Sequence, residues 1–180
     1  MSSPKIKFRH FQVSKVSKRF QPLKNKNLEN SLLLLYFSFM RLIFIRHGDP
    51  DYVNDSLTEK GRREAALLAE RVASWKVDEF YCSPLGRAQE TASYSLKKIN
   101  RTATTLDWLQ EFYVRVKDPV TGEDRIPWDF MPDLWTKDPL IYDKDNWINA
   151  ELLKTGDVRK NFTEVKNGID SILEKHGYVR

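Results

Sequence analysis

The sequence predicts an α/β fold, and three observations predict it. Leu42–Ile45 is a short, wholly apolar run, the pattern of a strand buried on both faces. A later stretch spaces its apolar residues three and four apart, as helices do, and a second helix is announced by the start signal Ser83-Pro84. Further strand-like runs separate and follow them, so the order is strand, loop, helix, strand, helix, strand. At 180 residues and 41% hydrophobic, the chain has the length of one domain and enough apolar mass for a core.

Before the first strand lies a segment of different character. Residues 1–39 hold Lys5, Lys7, Arg9, Lys15, Lys18, Arg19, Lys24 and Lys26 against Glu29 alone, a charge of +7. The whole chain carries +5, which leaves −2 for residues 40–180. The domain is therefore mildly acidic, and no specific nucleic-acid partner is expected for it. Residues 1–39 read as a basic, disordered N-terminal extension. Their last part, with Met40, forms the apolar stretch SLLLLYFSFM (residues 31–40), too short to span a bilayer. No small-residue cleavage site follows it, as a signal peptide requires. Met40 offers a second reading, in which it is the natural start and residues 1–39 come from upstream sequence.

After Leu42–Ile45 comes a polar loop, residues 46–55 (RHGDPDYVND). Thr58 is placed to cap a helix whose apolar face is Ala65, Leu68, Ala69, Val72 and Trp75. Glu79–Cys82 reads as the second strand. Ser83 as N-cap and Pro84 at the first helical position start a helix that reaches Lys98. Thr102–Leu106 reads as the third strand. Residues 113–157 hold four of the eight prolines and three of the five tryptophans, and read as an irregular insertion with short helices. The last element is an amphipathic helix through Val158, Phe162, Val165, Ile169, Ile172 and Leu173, with Gly177 placed to end it.

Arg46-His47-Gly48 directly follows a buried strand, where open α/β sheets place ligand-binding residues. A neutral imidazole there has the chemistry to attack phosphorus and form a covalent phosphoenzyme. An adjacent guanidinium suits phosphate oxygens. Alone the tripeptide is a weak signal. A second constellation strengthens it: in residues 83–92 (SPLGRAQETA), Arg87 falls in the first turn of a helix, whose backbone N–H groups favour an anion. No metal or other cofactor is implied, because His47 supplies the nucleophile and the arginines the positive charge. A cysteine-dependent phosphatase is rejected. It needs five residues between cysteine and arginine, and four separate Cys82 from Arg87. The single cysteine forms no intramolecular disulfide, and a cytoplasmic setting is expected.

In sequence order, LIFIRHG (residues 42–48), LTEKG (57–61) and YCSPLGRAQETA (81–92) closely resemble the histidine phosphatase (phosphoglycerate mutase-like) superfamily. The resemblance runs from about Met40 to Glu111. It implies a three-layer α/β/α sandwich with a mostly parallel central sheet. It also implies a phosphomonoester hydrolase acting on a small phosphorylated substrate. His47 would become phosphohistidine, with Arg46 and Arg87 binding the phosphoryl group. Glu111 matches the family's acid after the third strand and would act as general acid and base, with Asp107 its nearby competitor. Asn54 corresponds to a loop asparagine near the phosphate. Phosphoglycerate mutase-type transfer and a catalytically inactive phospho-ligand-binding fragment are the alternatives. The family pattern also has a second histidine, on a late strand and followed by Gly. Here His176-Gly177 ends a helical stripe instead, so the expectation is a chain truncated at its C-terminus and of low activity by itself.

Overall fold

Two units make up the computed structural model, which describes residues 12–16 and 40–179. One comprises residues 11–106 and the other holds residues 107–180. The first carries strands Gln12–Val16 (β1), Arg41–Ile45 (β2), Pro50–Asp51 (β3) and Ser56–Leu57 (β4), then helix Glu59–Val72 (α1). Strand Glu79–Cys82 (β5), helix Gly86–Lys98 (α2) and strand Thr104–Thr105 (β6) complete it. The protein is thus α/β, as the hydrophobic periodicity requires.

The main sheet has strand order β2-β1-β5-β6. β1 is antiparallel to both β2 and β5, and β5 is parallel to β6. Strands β2, β5 and β6 therefore run the same way, as helical crossovers demand. The sheet is nevertheless mixed rather than mostly parallel, because a segment that precedes β2 in the chain lies between β2 and β5. These five residues fall within the extension expected to be disordered, and the rest of that extension lies outside the described residues. Strand β2 is not buried on both faces either: Arg41 and Phe44 are exposed. It lies at one end of the described sheet, where a strand neighbours it on one side alone.

Helix α1 begins as its sequence announces, with the Thr58 hydroxyl accepting the Gly61 N–H. It buries Gly61, Ala65, Ala69 and Val72 and packs on α2, while Leu68 and Trp75 of the expected face are half-buried. Helix α2 begins two residues later than expected. Its N-cap is Leu85, which has no side chain to cap with, and Ser83 Oγ accepts instead from Leu85 N–H at 3.3 Å. The cap that replaces Ser83 comes from another loop, through Asp55. Strand β6 is shorter than the expected third strand, although Leu106 N–H still bonds Cys82 O at 2.9 Å.

The second unit starts with a 3₁₀ turn, Asp107–Leu109, and a hairpin of Val116–Lys117 (β7) and Asp124–Arg125 (β8). Single turns follow at Pro127–Asp129, Pro132–Thr136 (α3), Pro139–Tyr142, Trp147–Asn149 and Glu151–Leu153. Three of them start on proline, whose fixed φ suits a first helical position and whose missing N–H is not needed there. Their core is Val114, Val116, Phe130, Ile148, Ala150, Leu153 and Val158, with Trp135 and Trp147 packed against it. The last helix, Val158–Lys175 (α4), ends at Gly177, whose φ of +80° lets Tyr178 N–H reach back to Leu173 O. His176 is the C-cap of α4, as the helical stripe predicts. At Gly168 the helix has no Cβ, and the Trp108 ring fills the space one would occupy. Among the described residues no helix is long and apolar enough to cross a membrane.

Candidate active site

The chain leaves β2 at Ile45 and turns through Arg46, His47 and Gly48. The His47 ring is 6% exposed, and its Nδ1 lies 2.7 Å from the Gly48 carbonyl oxygen. A carbonyl can only accept, so Nδ1 carries the proton. In the neutral ring the lone pair then belongs to Nε2, which makes that nitrogen the nucleophilic one. The Nε of Arg46 is buried and has no hydrogen-bond partner among the described residues. A buried guanidinium donor left in this way is costly unless an anion completes it.

The loop is held from two sides. Gly48 N–H donates to Thr91 Oγ1 at 3.1 Å, and that hydroxyl donates to Arg87 O at 2.8 Å. Two hydrogen bonds thus tie the residue beside His47 to the turn of α2 that carries Arg87. On the other side, a Cβ on Gly48 would lie 2.7 Å from Gly61 O, and one on Gly61 would lie 2.2 Å from Asp49 O. The contact that forbids a side chain at Gly48 is therefore with the start of α1. The Asp49 carboxylate accepts the Thr58 hydroxyl at 2.8 Å, and Asp49 N–H bonds Glu64 at 2.8 Å.

Arg87, 7% exposed, donates through Nη1 to Asp55. Asp55 Oδ2 also accepts the Gly86 N–H at 2.6 Å, and so caps α2 from 31 residues away in sequence. Burial works to raise the Asp55 pKa, but the Gly86 N–H and the Arg87 guanidinium outweigh it and hold the carboxyl below its usual range. The anion seat at the start of α2 is therefore filled by a carboxylate of the protein itself. Neighbouring Glu90 reaches the same loop. Its carboxylate accepts Leu57 N–H at 2.8 Å and Arg62 Nε at 2.7 Å. Burial opposes ionisation there too, and those two bonds overcome it.

Of the residues expected from sequence, Arg46, His47, Arg87 and Asn54 lie in the first unit and Glu111 in the second. Asn54 is exposed, and its amide donates to Asp51 Oδ2 at 2.7 Å across the start of the turn that follows β3. Glu111 is half-buried in the irregular stretch between the Asp107–Leu109 turn and β7. Cys82 is buried, and desolvation pushes its thiol up to about 11, which suits a packing residue rather than a nucleophile. Among the described residues no group of three or more histidines, cysteines or carboxylates is placed to hold a metal ion. Sequence reading missed Asp55, Glu90 and Thr91. Glu90 and Thr91 stand in the 83–92 motif, one helical turn beyond Arg87 at the spacing that faces the same side.

The model of the histidine phosphatase superfamily, branch 1, matches residues 42–136, just over half of the chain. A probable phosphatase of Schizosaccharomyces pombe is 36% identical over 61 aligned positions, and the match covers 29% of each chain. The chain therefore spans less than a third of the length of that curated relative. No solved structure matches it. With both motifs and the loop that joins them inside the matched residues, the chain belongs to the histidine phosphatase superfamily.

Proposed function

We propose that the protein is a phosphomonoester hydrolase that works through a phosphohistidine on His47. The observation that carries this reading is the bond from His47 Nδ1 to Gly48 O, which puts the neutral ring's lone pair on Nε2, the nitrogen that attacks phosphorus. Arg46 and Arg87 bind the phosphoryl oxygens. The buried Arg46 Nε is the donor such an oxygen would satisfy. In the first step the Nε2–P bond forms and the ester P–O bond breaks. Glu111 gives its proton to the departing alkoxide, a role that rests on its place after the third strand in the family pattern. In the second step Glu111 takes a proton from water, whose oxygen displaces Nε2 and releases inorganic phosphate. The reading includes a small phosphorylated substrate, a cytoplasmic setting and the family's three-layer sandwich, with residues 113–157 as an insertion.

The test is turnover of p-nitrophenyl phosphate by the intact chain, with acid quench after a radiolabelled substrate. His47→Ala should abolish both turnover and an acid-labile, base-stable label on the protein. Glu111→Gln should slow turnover by about 10²–10⁴-fold. Undiminished turnover in His47→Ala, or a wild-type chain with neither turnover nor label, overturns the proposal.

A further inference from the structure

The turn between β3 and β4 is built to hold one guanidinium. Asp51 Oδ1 accepts the N–H groups of Val53 and Asn54, at 3.1 and 3.2 Å, and Asp51 Oδ2 takes the Asn54 amide. So stabilised, the turn presents Tyr52 and Asp55 to Arg87. The guanidinium carbon of Arg87 lies over the Tyr52 ring, 5.3 Å from its centre. The Asp55 carboxylate takes its Nη1 edge. Asp55 sits at φ +45°, in the left-handed region that an aspartate tolerates and a bulky residue resists. Gly86 lets the turn lie flush on the helix: a Cβ there would stand 2.1 Å from Asp55 O.

We infer that Asp55 is a positioning residue, which fixes the Arg87 guanidinium for a phosphoryl group while the Tyr52 ring lies against it. The inference rests on the reading of Arg87 as a phosphate ligand. Its physical content is preorganisation. A long, many-rotamer side chain gives up its freedom on folding, so less is lost when the anion binds. The same geometry has a second consequence. Because Asp55 already occupies the Gly86 N–H, the phosphate is held by arginine side chains and not by that backbone N–H of α2.

A plain helix cap is the competing role for Asp55, and charge separates the two. Removing a carboxylate beside an anion site tightens anion binding if Asp55 acts through its charge alone. Removing a positioning residue loosens it. The experiment is calorimetric titration of the intact chain with inorganic phosphate, with the melting temperature read in parallel. Asp55→Ala should weaken phosphate about tenfold, the scale of a lost charge-assisted contact. Adding Leu85→Ser restores a hydroxyl at the N-cap position, where Leu85 has none. This double variant should regain melting temperature and leave phosphate binding weak. Unchanged or tighter phosphate in Asp55→Ala, or affinity that returns with Leu85→Ser, overturns the inference and leaves the phosphatase reading standing. Phosphate binding that survives Arg87→Ala, or is absent in the wild type, overturns both.

Discussion

The two units are held together by different means. In the first, side chains bond backbone N–H groups far along the chain: Thr91 takes Gly48, Glu90 takes Leu57, and Asp55 takes Gly86. In the second, most side-chain bonds stay within a few residues. Asp118, for instance, serves Val120, Thr121 and Arg125 of its own hairpin, although Thr155 does reach Lys117 N–H. What joins distant parts of that unit is mainly the apolar cluster around Val116, Phe130 and Leu153. Polar bonds are directional and specify one geometry. Apolar packing fills volume and tolerates change. The unit that carries His47 is therefore the one in which atom positions are specified.

The largest effect is expected where packing alone holds the chain. Phe130 is buried in the second core, with the Arg125 guanidinium 5.6 Å from its ring centre. Phe130→Ala should cost about 3–5 kcal/mol, the lost burial of the ring plus the cavity it leaves among its neighbours. Four of the five tryptophans lie in this unit, so urea unfolding followed by tryptophan fluorescence reports on it. A midpoint unchanged by the substitution would show that the turns, not the core, hold the unit.

Thr91→Val tests the other side of the comparison. The replacement keeps the shape and removes one hydroxyl, which leaves the Gly48 N–H without its acceptor. The expected cost is about 1–3 kcal/mol, with faster hydrogen exchange at the Gly48 amide and slower turnover. Intact protection at Gly48 would mean that the glycine contact with α1 holds the loop unaided. This contrast also explains what was legible in the sequence. Thr58 as a cap, Glu79–Cys82 as a strand and Gly177 as a helix stop follow from local rules, and all three stand. The start of α2 did not follow from them, because its cap is supplied by Asp55 across the fold and no local rule sees it. The antiparallel strand Gln12–Val16 was hidden for a related reason, since pairing with β2 and β5 is not written in its own periodicity. The two motifs that hold Arg46, His47 and Arg87 were legible from their order and spacing, and both lie within the residues that match the family. The local partner of Asn54, the Asp51 carboxylate, was not legible, because it depends on the turn that follows β3.

The smallest predicted effect isolates one charge of the polar unit. Glu90 bonds Leu57 N–H and Arg62, and its carboxyl is held below its usual value of 4.5. A carboxyl whose folded pKa is depressed adds stability that is fully present above the unfolded value. That stability is lost as pH falls through the folded one, because the unfolded chain takes up the proton first. Glu90→Gln keeps the shape and an acceptor for Leu57 N–H but removes the charge. The variant should be less stable than the wild type at about pH 7, and the gap should narrow as pH drops below 4.5. Arg62 and Glu90 are partly exposed, with side chains 48% and 26% accessible, so solvent screening keeps the gap small. Urea midpoints of both proteins across that pH range decide the matter. A gap that stays constant with pH would show that Glu90 holds β4 to α2 through hydrogen-bond geometry alone. The coupling of the loop to the helix would then be as insensitive to charge as the packing of the second unit.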